Sequence, residues 1–301
     1  MTSMEEYMSN NDNQRWIDWL ISSLNCTRYA IIEPLRLKYE RSVNKTDYQN
    51  QSDCPLVSVC VPTYNRASIL IDRAVKTVLS QTYKNLELII VGDHCTDNTS
   101  ELLSKIKDPR LKFYNLPLRK KNYRQTIENH WLAGGATPAN VAMEMISGEW
   151  IARVDDDDTW TIDHIEKLLN FARSGNFEFV SALYEEERHG VRKVVDGVRA
   201  LDTYFTNKKS IINDQSPKIG GVSTWFYRSY LSYMKYNVNC WRKKWNRVWD
   251  IDLALRIYSS GARMGFLDET LAYVLPRPGE KSVGLEAYRL TEQEKMNHFS
   301  L

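Results

Sequence analysis

The run Asp155-Asp156-Asp157-Asp158 is the stretch of this sequence that most needs a chemical explanation. Adjacent carboxylates repel one another, so the run costs stability unless a cation offsets it. Alternation along an extended chain would point Asp155 and Asp157 the same way. Two hard oxygen ligands on one side suit Mg²⁺ or Mn²⁺, which leave coordination positions for substrate phosphates. A solvated acidic loop is the competing reading, with Asp158 as the cap of the next helix. An EF-hand is excluded, because no Gly stands at the sixth position.

Two other polar clusters invite the same question. In Gly92-Asp93-His94-Cys95-Thr96-Asp97-Asn98, Asp97 or Thr96 reads best as a helix cap, whereas Asp93 has no helix of its own to cap. A carboxylate there can accept the imide N–H of a pyrimidine base. In Pro62-Thr63-Tyr64-Asn65-Arg66, Tyr64 offers a flat face to a base, and the following helix offers free N–H groups to an anion. Alone, that turn is ordinary loop chemistry, and Thr63 reads as structural.

These clusters must be held by something, and the flanking residues say what. Leu56–Pro62, Leu86–Gly92 and Glu149–Val154 are continuous apolar runs of strand length, with further strands at 111–114 and 177–183. Helical patterns lie between them, over 67–80, 98–107 and 162–172. Apolar strands alternating with helices predict an α/β domain with a mainly parallel sheet covered on both faces. Such sheets bind ligands at the carboxyl ends of their strands, and all three clusters fall there. Residues 1–53 differ, with an amphipathic helix over Gln14–Leu24, a second helix over Ala30–Arg41, and a polar linker from Asn44 to Asp53. The apolar face of Trp16, Ile17, Leu20, Ile21 and Leu24 is expected to pack on the domain or on a second copy. A membrane surface is the weaker option, for want of a strongly basic polar face.

Composition removes other classes. With 40 Lys and Arg against 38 Asp and Glu, the chain is too neutral to be a dedicated nucleic-acid binder. No apolar stretch approaches the ~20 residues of a membrane span. The five cysteines form no Cys-x-x-Cys pair, which fits neither a disulfide framework nor a zinc site and implies a reduced, cytoplasmic setting. No Gly-x-Gly-x-x-Gly follows the first strand, so a nicotinamide enzyme is excluded.

Taken in order, VSVCVPTYNR, LELIIVGDHCTDNT and GGATPANVAMEMISGEWIARVDDDDTW resemble family-2 glycosyltransferases of the GT-A fold. That family's strings read close to PTYNR, VDDGSTD and GEYIAFLDADDxW, with EDxDLxLR further on, which Trp249–Arg256 resembles. Gly92 and Trp249 depart from it, standing where the family has Asp and Glu. The resemblance implies a nucleotide-binding half over about 54–160 and an acceptor-binding half over about 161–301. It places Pro62, Tyr64 and Asp93 at the base, Asp155 and Asp156 at the nucleotide, and Asp157 with Asp155 on a Mn²⁺ or Mg²⁺ ion. It places Asp250 as general base, with Asp252 the competitor for that role. Asn140 and Arg66 fall toward the donor sugar, and Trp225, Trp245 and Trp249 toward the acceptor or a lid. Arg277–Ser282 resembles a C-terminal loop that touches the diphosphate. The implied partners are a nucleotide-diphosphate sugar, most readily a UDP-sugar, and a hydroxyl acceptor such as a glycan. A homodimer through the N-terminal helices and a position peripheral to a membrane are compatible with this. A non-catalytic sugar-nucleotide-binding subunit of the same fold is the alternative function.

Overall fold

A computed structural model of the chain describes residues 4–44, 52–120, 122–196, 198–199, 218–243 and 246–288. Among these, nine strands form one sheet in the order β3-β2-β1-β4-β10-β6-β11-β5, with β7 beside β6. The strands are β1 (Val57–Thr63), β2 (Leu86–Gly92), β3 (Leu111–Asn115), β4 (Trp150–Arg153), β5 (Asp158–Trp160), β6 (Phe179–Arg188), β7 (Val191–Val195), β10 (Phe226–Arg228) and β11 (Met264–Val274). A short ribbon, β8 (Val198–Arg199) and β9 (Lys218–Ile219), stands apart from the sheet.

Every residue of β1 and β2 is buried, which is why these strands read as unbroken apolar runs. β3, β2, β1 and β4 are parallel; β10 then pairs antiparallel with both β4 and β6, so the sheet is mixed. A three-residue strand has too little pattern to show in sequence, and β10 was not foreseen. β6 runs on to Arg188 because a tight hairpin returns it: His189 and Gly190, at φ 52° and 76°, form the two-residue turn into β7. Helices cover both faces. Ala139, Leu253 and Trp225 pack on one side of the sheet, and Leu70, Val78, Ile165 and Leu168 on the other. The helical stretch after β1 contains one π-helical turn, Ile71–Val75, between α-helical ends.

The N-terminal segment departs from expectation. One 40-residue helix, Met4–Val43, replaces the two shorter ones and runs through Pro34. Contacts on both sides of the proline outweigh its lost hydrogen bond: Glu33 pairs with Arg256, and Leu37 is buried in the core. Of the expected apolar face, Leu20 and Ile21 are half-buried whereas Trp16, Ile17 and Leu24 are exposed, so it does not pack on the domain as a whole. Most of the expected linker lies outside the described residues.

Candidate active site

β1 lies between β2 and β4, so the carboxyl ends of all three strands come together at one rim of the sheet. A cleft of about 700 Å³ opens there, lined by Pro62, Tyr64, Asp93, all four aspartates of the acidic run, Trp249 and Asp250. Pro62 and Asp250, 188 positions apart in sequence, thus share one cavity at the point where the strand order reverses at β1.

The acidic run is a turn, not an extended strand. The Asp158 N–H donates to the Asp155 carbonyl at 3.2 Å, and this closure, rather than alternation, leaves Asp155 and Asp157 partly exposed to the cleft. Asp156 is turned inward: Thr63 Oγ1 donates to its Oδ2 at 2.7 Å, and Arg66 Nη1 to its Oδ1 at 2.8 Å. Asp156 therefore braces the turn with both oxygens. Asp158 is no helix cap, as it opens β5 and its buried carboxylate accepts from Ser223 Oγ. Burial and the neighbouring aspartates hold the Asp158 carboxyl well above the usual range. Burial also raises Asp155, against the pull of Arg153. Arg73 ties the turn to the C-terminal loop, donating to the carbonyls of Asp157, Leu275 and Pro276.

At the β1–β2 end, the Arg119 guanidinium lies 3.6 Å from the centroid of the Tyr64 ring. Its Nε donates to Asp93 Oδ2 at 2.9 Å. Arg119 thus occupies the face and the carboxylate that sequence reasoning assigned to a base, and no motif pointed to it. Asn65 and His94, both at positive φ, shape the two loops, and Asn65 Oδ1 joins them by accepting the Thr96 N–H. Asp97 is structural: Oδ1 accepts from the N–H and hydroxyl of Thr99, and Oδ2 accepts from the Ala67 N–H.

Asp250 faces the acidic turn from the first turn of the helix Trp249–Ser259. Its Oδ1 accepts the Ile251 N–H at 2.6 Å. Burial, reinforced by the Asp155 charge, pushes its carboxyl up to about 6, with the Ile251 N–H and Arg153 opposing. Asp252 points away and is fully buried, paired with Lys243 and Arg256 at 2.9 Å each. Arg153, also buried, donates to Asp155 Oδ1 at 2.8 Å and lies 5.4 Å from the Trp249 ring centroid. Two departures from the family strings, Arg for Phe at 153 and Trp for Glu at 249, are therefore neighbours. A charged residue within the apolar run IARV was the available signal for Arg153. Trp249 also requires Gly135, where a Cβ would lie 2.7 Å from the indole.

Two other expected residues, Asn140 and Trp225, are not brought here. Asn140 spends its amide on the backbone N–H and carbonyl of Tyr236 and does not line the cleft. Trp225 is a core residue whose Nε1 donates to the Gly220 carbonyl at 2.9 Å. Arg66 does line the cleft, where it braces Asp156 and reaches Asp157 at 3.3 Å. Arg277 lines the cleft 3.9 Å from Asp157. Trp245 lies outside the described residues.

A nucleotide-scale cleft at the carboxyl ends of a mixed α/β sheet, with an acidic turn at its centre, is the GT-A type of architecture. The family model described as "Glycosyl transferase family 2" matches residues 58–234, and the chain belongs to that family. The chain is similar to an uncharacterized glycosyltransferase of Rickettsia conorii, at 37% identity over 43% of this chain and 19% of that protein. It is also similar to the Escherichia coli UDP-Glc:alpha-D-GlcNAc-diphosphoundecaprenol beta-1,3-glucosyltransferase WfaP, at 33% identity over 44% of this chain and 47% of that one. The matches span less than half the length of these relatives. Among solved structures, S. aureus TarS 1-349 in complex with UDP-GlcNAc shares the fold at TM-score 0.53 and 18% identity, over 80% of this chain and 63% of that 1-349 chain. Pyrobaculum calidifontis mannosyltransferase PcManGT in complex with GDP-Man and Mn²⁺ does so at TM-score 0.52 and 17% identity, over 86% and 69%.

Proposed function

We propose that this chain transfers a sugar from a nucleotide diphosphate, a UDP-sugar in the first instance, to a hydroxyl acceptor with inversion. The observation that carries this reading is that Asp250, Asp155, Asp157, Tyr64 and Asp93 all line one cleft. The UDP-Glc in the name of the WfaP relative and the UDP-GlcNAc in the TarS complex support the donor class.

The acidic turn fits a divalent cation. Among the described residues, Arg153 engages one oxygen of Asp155 and Arg66 one of Asp157, and both half-exposed carboxylates line the cleft. No group of three or more His, Cys, Asp or Glu side chains surrounds a common point among the described residues. A pair of hard oxygen donors suits Mg²⁺ or Mn²⁺ sharing its coordination with a diphosphate. Such an ion would offset the charge developing on the leaving diphosphate. The chain's own groups do the rest. Tyr64 and Asp93 seat the base once Arg119 yields or shares its place. Arg277, paired with Glu280 at 2.6 Å, can turn its guanidinium to the diphosphate once that pair opens. Asp250 takes the proton of the acceptor hydroxyl as its oxygen attacks the anomeric carbon from the side opposite the leaving group. A single base facing the leaving group gives inversion.

Thermal unfolding with UDP-, GDP- and dTDP-sugars, with and without Mn²⁺, tests the reading. A ligand at 100 times its Kd should stabilise the chain by about 2.7 kcal/mol. The Asp157→Ala variant should unfold normally without ligand yet lose the Mn²⁺-dependent part of the shift. Unchanged metal dependence in that variant would remove Asp157 from the metal site.

A further inference from the structure

The helix Met4–Val43 is held to the rest of the chain largely through polar groups. Asp18 accepts from Arg124 and Arg242, Glu33 pairs with Arg256, and Arg41 pairs with Glu178. Leu37 is buried in the core and Trp19 is exposed on that same side, but most of the exposed apolar side chains face the other way. Trp16, Ile17, Leu24, Ile31, Leu35 and Tyr39 are each between 40% and 64% exposed. At 3.6 residues per turn these fall within one arc of less than half the circumference, opposite buried Ser22, Glu33 and Leu37. From Trp16 to Tyr39 the stripe is about 35 Å long. A helix docked by the hydrophobic effect would show the reverse arrangement, and a contiguous apolar stripe of this extent marks an interaction surface.

The charges on the stripe select its occupant. Exposed Arg28 and Lys38 lie on the same arc, whereas Asp18, Glu33 and Glu40 lie on the side toward the body. From Trp16 onward the exposed arc therefore carries cations and no carboxylate. Two copies pressed together through it would oppose like charges with nothing on the face to pair them. Anionic lipid headgroups supply that partner, and the rings of Trp16 and Tyr39 suit the headgroup level. We propose that this face of the N-terminal helix lies in the plane of an anionic lipid surface, with its apolar stripe at the acyl boundary. The helix lies on the surface and does not cross it, since no helix among the described residues is long and apolar enough to span a membrane. The absence of a strongly basic face, which counted against this surface in the sequence, is offset by the outward placement of Trp16, Ile17, Leu24, Ile31, Leu35 and Tyr39. The proposal stands independently of the sugar-transfer reading.

Co-sedimentation of the full chain with phosphatidylcholine vesicles, with and without phosphatidylglycerol, tests it. Binding should be about tenfold tighter or more to the anionic vesicles, fall with added salt, and blue-shift the tryptophan emission. The variant Leu24→Gln/Ile31→Gln/Leu35→Gln should lose about tenfold or more of that binding with an unchanged unfolding temperature. Arg28→Gln/Lys38→Gln should keep residual binding but lose the anionic preference. Equal binding by wild type and the triple glutamine variant would overturn the proposal. So would a chain that ignores vesicles and sediments as a dimer which the triple variant disperses, since the stripe would then belong to a second copy.

Discussion

Asp250 can act as a base only when ionised, and its surroundings set the pH at which that happens. With its carboxyl raised to about 6, the ionised fraction grows as pH rises through that value, so kcat/KM should climb on an acid limb near pH 6 and level off above it. Asp250→Asn should lower turnover by roughly 10²–10⁴-fold with donor affinity nearly unchanged, because the proton comes from the acceptor. Transfer rates and nucleotide binding measured on the same variant check both halves. Arg153 offers a second, finer test. Its buried positive charge favours the ionised form of Asp250, so Arg153→Met should move the acid limb to higher pH. A limb that stays in place would show that the guanidinium acts only on Asp155.

At the scale of elements, the helix Trp249–Ser259 separates two aspartates that the sequence left in competition. Positions two apart on a helix point about 200° from each other, so one faces the cleft and the other the core. Asp252 took the core side and joins Lys243, Arg256 and Glu33 in a buried ion chain that links this helix to the N-terminal one. Removing one member of a buried pair leaves its partner uncompensated, which costs about 3–5 kcal/mol. Urea unfolding of Asp252→Asn should show a loss of that order, whereas Asp250→Asn should unfold nearly as wild type. An Asp252→Asn variant of full stability but no turnover would reverse the two roles.

For the molecule as a whole, the N-terminal helix braces the body away from the cleft. Its described ion pairs reach Arg124, Glu178, Arg242 and Arg256, none of which lines the cleft. A chain beginning at Ser52 strips Arg256 of Glu33 and uncovers the site of Leu37, so it should unfold at a lower temperature. Its nucleotide- and Mn²⁺-dependent shift should persist. An unchanged unfolding temperature would show that the helix adds nothing to the stability of the fold.

The runs Leu56–Pro62 and Leu86–Gly92 announced buried parallel strands because every one of their side chains meets a helix-covered face, and that demand is local and continuous. The clusters at their ends were legible for the same reason: where an apolar strand stops, a polar residue needs a purpose. What sequence could not show was how side chains from distant segments divide the work. Arg119 covers Tyr64, Asn140 clamps Tyr236, Trp225 fills the core, and the acidic run bends into a turn in which Asp156 becomes a brace. Each of those outcomes depends on which partner lies within about 3–4 Å, and only packing brings residues from opposite ends of a chain to that distance. The residue types and their order were therefore written in the sequence, while tertiary structure decided which carboxylates face the cleft and which side of the N-terminal helix remains uncovered.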